Sequence, residues 1–156
     1  MKNGRILITS VGSLVGWAVT AALRPLRSRL IVIGCNTLAA APTVFDCDRV
    51  YRVPKTSDTQ VYREALRAIV LREQPDLIIP GRDEELAVLS EFSTDRAWSA
   101  TRVLAPPPKL VPVFNDKLET ARFAARHALP FAATAYEPEE IATLIEVHGF
   151  PLVVKP

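Results

Sequence analysis

Two lysines stand in settings that favour contact with a phosphate group. The sequence has 5 lysines against 14 arginines. Lys117 follows Asp116, a residue that can cap a helix, and Lys155 follows the apolar run 152–154. An ammonium group at a helix start or a strand end can place a point charge on a phosphate oxygen. Each lysine alone is also consistent with an ordinary solvated charge.

A second candidate is the glycine turn near the N-terminus. Gly12 and Ser13 lie between apolar runs over 5–9 and 14–23. A strand, a glycine turn and a helix can cradle a phosphate or carboxylate, because free N–H groups of the helix point at the ligand. The dinucleotide fingerprint needs three glycines and an acidic ribose ligand, whereas this turn has two glycines and Asn36 stands in place of the acid. Gly12 is equally consistent with a purely structural turn.

Three adjacent acids form the third candidate. Asp83, Glu84 and Glu85 follow a predicted strand over 77–79, at the edge where open parallel sheets bind ligands. Their carboxylates could orient an amine or a cation, but acids also suit the first turn of a helix for dipole reasons. The two histidines and two cysteines lack a nucleophile or ligand partner at a recognisable spacing, so no catalytic residue and no metal site is predicted in the chain.

The apolar pattern supplies the elements that must position these residues. Strands are predicted over 5–9, 30–33, 49–53, 77–79 and 102–104, with helices over 14–23, 60–72 and 83–92. Alternating strands and helices require right-handed crossovers, so the fold class is α/β, a doubly wound, Rossmann-like parallel sheet.

Three prolines at 106–108 mark a boundary. We expect one domain over 1–108 and an incomplete α+β segment over 109–156. In that segment, Asp116 and Glu119 have the spacing of a capping box at the start of a helix that ends by Pro130. A second helix is predicted from Pro138, and strands over 132–135 and 152–154.

Composition excludes several classes of protein. Apolar residues make up 49% of the chain and the formal net charge is +2, which excludes disorder and disfavours nucleic-acid binding. The 18 uncharged residues between Arg5 and Arg24 superficially suggest a signal peptide or a membrane span, but a polar turn over 9–13 interrupts them. We expect a cytoplasmic protein with unpaired cysteines and no membrane or nucleic-acid partner.

Taken together, several motifs resemble the ATP-grasp superfamily. These are N-D-K at 115–117, L-P at 129–130 and G-F-P-L-V-V-K-P at 149–156. The region 5–104 resembles the pre-ATP-grasp domain that accompanies them. The stretches 6–23, 32–41 and 77–89 look most like the carbamoyl-phosphate synthase large-subunit-like branch.

The resemblance implies an ATP-dependent ligase that joins a carboxylate to an amine or a thiol through an acyl phosphate. It also implies that Lys117 and Lys155 contact ATP, while Gly12, Ser13, Asp83, Glu84 and Glu85 are weaker substrate candidates. The glycine-rich phosphate loop and the Mg²⁺ ligands of the family would follow residue 156. We therefore expect an N-terminal portion of a larger ligase that is inactive alone.

Two other readings remain open from the sequence. The glycine turn also fits a dinucleotide-binding domain of an oxidoreductase or epimerase. The flat helical faces of a doubly wound domain also fit a non-catalytic module that forms homodimers.

Overall fold

Five short strands pair into one parallel sheet in the order β3-β2-β1-β4-β5. Their bounds are β1 (Gly4–Ile8), β2 (Leu30–Asn36), β3 (Arg49–Arg52), β4 (Leu77–Ile79) and β5 (Arg102–Val103). The helices are α1 (Leu14–Leu23), α2 (Thr59–Glu73), α3 (Leu86–Thr94), α4 (Val111–Asn115), α5 (Lys117–Arg126) and α6 (Pro138–His148). The structure, a computed structural model, describes residues 4–38, 41–95 and 98–154. The predicted parallel α/β fold is confirmed.

The central strand has helices on both of its faces. Leu7 belongs to an apolar cluster that includes residues of α2 and α3. Its neighbours Ile6 and Ile8 belong to a second cluster, against which the inner side of α1 packs. Because successive side chains of a strand point to opposite faces, one short run of apolar residues contributes side chains to both apolar clusters.

Arginines mark both edges of the sheet. Arg49 and Arg52 lie on edge strand β3, and Arg102 lies on edge strand β5; all three are exposed. Exposed charges on an edge strand oppose pairing with another chain, so they protect the unpaired backbone groups there.

The chain divides into two compact units, Met1–Val111 and Pro112–Pro156. In the second unit, the carboxylate of Asp116 accepts the N–H groups of Leu118 and Glu119 at 2.8 and 3.0 Å, which confirms Asp116 as the helix cap. Phe123 of α5 packs edge-on against Phe114, with ring centroids 6.5 Å apart. The unit is thus a small helical assembly with few buried side chains.

The helix predicted over 83–92 and the strands predicted over 132–135 and 152–154 are wrong as predicted. The helix predicted over 83–92 is a 3₁₀ turn, Asp83–Glu85, followed by α3. The Glu85 carboxylate holds this tighter turn by accepting the N–H groups of Gly81 and Arg82, each at 3.2 Å. The segments 132–135 and 152–154 are irregular and not strands, because no described segment of that unit pairs with them and a strand requires a partner.

The Glu73 carboxylate ties the C-terminal end of α2 to the starts of β1 and β3. Its side chain is fully buried and accepts hydrogen bonds from Arg5 at 2.8 Å, Arg49 at 2.5 Å and the Tyr51 hydroxyl. Burial alone raises the pKa of Glu73, but these three hydrogen bonds outweigh it and hold the pKa below its ordinary value.

Replacing Glu73 with glutamine is expected to remove part of the acid sensitivity of the fold. A carboxylate with a depressed folded-state pKa stabilises the fold above its unfolded pKa, and that stabilisation is lost as the pH falls through the folded pKa. We expect E73Q to lose about 2 kcal/mol at pH 7 and to show a shallower decline below about pH 4.3. Urea unfolding from pH 7 to pH 3 measures both effects, and parallel wild-type and variant profiles would contradict the assignment.

Candidate functional site

The loops that follow β1 and β4 meet at the carboxyl edge of the sheet. The Thr9 N–H donates to the Ile79 carbonyl at 3.0 Å, and the Ser13 hydroxyl donates to the Gly81 carbonyl at 2.8 Å. A Cβ at Gly81 would lie 2.2 Å from the Thr9 carbonyl oxygen, so this close approach requires glycine. The N-terminus of α1 and the acidic turn before α3 are therefore held side by side.

A buried carboxylate joins the two loops. Glu85 is 1% exposed. Its oxygens accept the hydroxyls of Thr9 at 2.6 Å, Ser10 at 2.8 Å and Tyr62 at 2.7 Å, in addition to the two backbone N–H groups of its own turn. All five donors are neutral, and together they hold this carboxylate within the fold.

Burial fixes the chemistry of two groups near Glu85. It raises the pKa of the Tyr62 phenol well above its ordinary value, and the nearby Cys35 and Glu85 add to the effect. The phenol therefore stays protonated and donates to Glu85. Burial, with a smaller effect of Glu85, likewise raises the pKa of the Cys35 thiol. A neutral, buried thiol is not a nucleophile.

The glycine turn is packed against its surroundings. Ser10 adopts a left-handed backbone conformation with φ of 41°, which is unusual outside glycine. A Cβ at Gly12 would lie 2.6 Å from the Ala41 Cβ and 2.8 Å from the Asn36 Nδ2. Ser13 caps α1, since its hydroxyl oxygen accepts the Gly16 N–H at 2.9 Å. These contacts give Gly12 and Ser13 structural roles that account for their residue types.

An open depression of about 590 Å³ lies at this edge. Its charged lining residues are Lys55, Arg82, Glu84 and Glu85, and its hydroxyl-bearing residues are Ser10, Thr37, Thr56, Ser57 and Tyr62. Arg82 is 3.8 Å from the Glu84 carboxylate, and both side chains are largely exposed. Lys55 is exposed and has no ion pair with another described residue, so its ammonium is accessible at the edge of the depression.

The structure brings together only some of the predicted site residues. Glu84 and Glu85 line the depression, whereas Asp83 is exposed and is not among the lining residues. Gly12 and Ser13 are not among the lining residues either: Gly12 packs against Ala41 and Asn36, and Ser13 is hydrogen-bonded to Gly81. Lys55 and Arg82 also line the depression and were not predicted; the signal that points to them is their position, each just beyond the end of a strand.

Lys117 is the first residue of α5 and is exposed to solvent in the second unit. Its ammonium is thus free to reach a ligand. Lys155 lies outside the described residues, so the predicted pairing of the two lysines is not tested.

Within the described residues, no group of three or more histidine, cysteine, aspartate or glutamate side chains is arranged to hold a metal ion. Over the same residues, no helix combines the length and the apolar character needed to cross a bilayer.

Comparison with known proteins identifies the fold. A family model described as "PylC-like, N-terminal domain" matches residues 6–104. No match was found among curated proteins.

Solved structures give the same picture. The chain is similar to N5-carboxyaminoimidazole synthetase from Staphylococcus aureus complexed with ADP (16% identity, TM-score 0.62, covering 98% of this chain and 38% of that one). It is also similar to glycinamide-RNase-transformylase T from Mycobacterium tuberculosis (22%, 0.60, 82% and 37%) and L-amino acid ligase from Bacillus licheniformis (13%, 0.59, 83% and 32%). The chain therefore has the fold of the N-terminal region of ATP-grasp enzymes and spans about a third of their length.

Proposed function

Because the chain belongs to the family of PylC-like N-terminal domains, we propose that it is the N-terminal portion of an ATP-dependent ligase of the ATP-grasp type. The enzyme joins a small-molecule carboxylate to an amine or a thiol in the cytoplasm. The observation that carries this proposal is that the loops after β1 and β4 meet at the carboxyl edge of the sheet. ATP-grasp enzymes share the fold of this sheet. The carbamoyl-phosphate synthase-like branch stays a prediction.

We assign residues 1–108 to the pre-ATP-grasp domain and 109–156 to the first part of the ATP-grasp domain. In this assignment, Lys117 and Lys155 contact the phosphates of ATP and balance their negative charge. The exposure of Lys117 supports that role. The assignment places the ligands of Mg²⁺ in further sequence, as the resemblance to the ATP-grasp superfamily implies.

The depression at the carboxyl edge is the proposed site for the acceptor substrate. Lys55 and Arg82 attract its carboxylate, and the exposed acid Glu84 suits an amine group. Glu85 acts through the turn that it holds and does not contact the substrate.

The reaction is written as two transfers. A carboxylate oxygen attacks the γ-phosphorus of ATP, the bond to the β-phosphate breaks and ADP leaves. The nucleophile then attacks the acyl carbon, inorganic phosphate leaves with the electron pair of the C–O bond, and the nucleophile loses its proton. Fixed positive charge near the phosphate oxygens stabilises the first step.

Carboxylate-dependent release of ADP tests the proposal. The full-length enzyme is incubated with ATP, Mg²⁺, a panel of amino and hydroxy acids and hydroxylamine, which traps an acyl phosphate as a hydroxamate. We expect ADP and hydroxamate in equal amounts from the full-length enzyme and neither from the 156-residue chain. ADP formation by the 156-residue chain alone contradicts the proposal. ADP that the full-length enzyme forms without any added carboxylate, and without hydroxamate, also contradicts it.

A titration with NADH and NADPH tests the oxidoreductase alternative in parallel. The Asn36 side chain is nearly buried and its Nδ2 donates to the Leu38 carbonyl at 2.9 Å, so it is engaged where a ribose ligand would be needed. We expect no saturable binding. Tight binding of either nucleotide would favour the dinucleotide-binding reading.

A further inference from the structure

The loop after β3 presents three hydrogen-bond donors on one short turn. Lys55, Thr56 and Ser57 all line the depression at the carboxyl edge. None of their side chains has a hydrogen bond or an ion pair with another described residue. The hydroxyls of Ser10 and Tyr62 also line the depression, but both are already used within the fold. The turn therefore carries an ammonium and two hydroxyls that are free to bind a ligand.

The backbone of this turn, residues 55–58, is fixed at both ends. The Asp58 N–H donates to the Lys55 carbonyl at 3.1 Å, which closes the turn. On the side of the strand, the Val53 N–H donates to the Asn36 carbonyl at 3.0 Å. Donors on a fixed backbone lose less conformational freedom when a ligand binds, so they suit recognition better than donors on a loose loop.

The charges around the turn favour an anion. The turn leads directly into α2, a helix of 15 residues whose N-terminus favours negative charge. Asp58 caps this helix, since its carboxylate accepts the Val61 N–H at 3.4 Å. Across the depression, the Glu84 carboxylate lies 3.8 Å from Arg82. An ammonium and two hydroxyls beside the start of a helix are donors that suit the oxygens of a carboxylate.

The lining offers little contact to an apolar group. Its apolar and aromatic residues are Val53, Pro54 and Tyr62, and of these only Pro54 is not buried. A ligand with a long apolar tail would leave that tail in water, which is unfavourable. The depression therefore suits a small, polar ligand.

We propose that the turn 55–58 anchors a carboxylate that does not react, so that the acceptor of the ligase is a small dicarboxylate, the class that includes the acidic amino acids. This inference rests on the proposed function, in which a carboxylate oxygen attacks the γ-phosphorus of ATP with a lone pair. An ionised carboxylate has about four acceptor positions, and one ammonium with two hydroxyls occupies most of them. A carboxylate held in this way is a poor nucleophile, so a second carboxylate of the same molecule supplies the attack.

Acids and their matching amides test which acceptor the enzyme selects. The full-length enzyme is assayed for ADP formation with aspartate and glutamate, and with asparagine and glutamine, which have nearly the same shape but one carboxylate fewer. We expect kcat/KM for the better acid to exceed that for its amide at least about tenfold, the effect of one charge-assisted contact. Lys55→Gln should abolish this preference and leave kcat/KM for the amide nearly unchanged, whereas a purely structural role of Lys55 would lower both alike.

Carboxylate binding to the turn is measured separately from catalysis. The nitrogen-15-labelled 156-residue chain is titrated with glutarate at constant ionic strength and followed by its amide NMR signals. We expect saturable shifts at residues 55–57 with a dissociation constant of roughly 1 mM, raised at least about tenfold by Lys55→Gln. Lys109→Gln is the matched control, because Lys109 is exposed on the 3₁₀ turn Pro108–Leu110 and does not line the depression. Circular dichroism checks that both variants fold.

The two experiments separate this inference from the ligase function. Glutarate that leaves the signals of the turn unchanged up to about 50 mM, or that binds equally to Lys55→Gln and Lys109→Gln, overturns the inference whatever the enzyme does. An enzyme that uses the amides as well as the acids shows that no carboxylate is anchored, although the ligase function stands. If glutarate binds the turn but no carboxylate yields ADP, the proposed function fails and the dicarboxylate acceptor fails with it.

Discussion

Replacing Glu85 with alanine lowers the free energy of unfolding by about 3–5 kcal/mol, the largest loss that we expect from a single side chain. The substitution removes the acceptor of three hydroxyls and two backbone N–H groups at once. Because these donors are buried or nearly so, water replaces the lost acceptor poorly. Urea unfolding at pH 7, followed by circular dichroism, gives the value.

Glu84→Gln is the control for this measurement. Glu84 is the preceding acid of the same turn, but its side chain is exposed, so the change should stay within about 0.5 kcal/mol. Glu85→Gln keeps the shape of the side chain and one acceptor oxygen, so its loss of unfolding free energy should fall between those of Glu84→Gln and Glu85→Ala. Equal stabilities for Glu85→Ala and Glu84→Gln would show that Glu85 does not hold the two loops together.

Replacing Lys117 with alanine lowers kcat/KM for ADP formation about 100-fold in the full-length enzyme, which corresponds to the loss of one phosphate-balancing charge near the reacting group. The prediction rests on the proposed function. Since Lys117 is exposed at the start of α5, the fold should be unaffected, and the unfolding midpoint measured beside the kinetics checks this.

Lys109→Ala is the matched control for Lys117. Lys109 is also exposed, but it lies on the 3₁₀ turn Pro108–Leu110 and outside the N-D-K motif. Lys109→Ala should leave kcat/KM unchanged. Lys117→Arg should retain part of the activity because it keeps the positive charge. If Lys117→Ala and Lys109→Ala behave alike, Lys117 is a surface lysine and the nucleotide assignment is wrong.

The bounds of some buried elements could be predicted because local sequence signals mark where these elements end. Helix 14–23 and strand 77–79 have the predicted bounds. In both cases a proline follows the element closely and limits where it can end. Strand β2 continues to Asn36, three residues beyond its predicted end. The backbone of β3 pairs with these last residues, although their side chains do not continue the apolar run from which the strand was predicted.

Local sequence patterns could not predict the burial of the two carboxylates, Glu85 and Glu73. Glu85 is one of three adjacent acids, and only the 3₁₀ turn decides that it faces inward while Asp83 and Glu84 face solvent. One signal did exist, since an acid at the third position of a helical turn often reaches back to the first N–H group. Glu73 has partners 68 and 24 residues away, and pairing over such distances depends on the assembled sheet.

The position of β1 also sets an order of events during synthesis. β1 is made first, yet it pairs with β2 on one side and with β4 on the other. A ribosome adding about 5–20 residues per second delivers β4 roughly 4–14 seconds after β1. Until then one side of the future central strand has no neighbouring strand, so its backbone groups on that side stay open to incorrect pairing in the nascent chain.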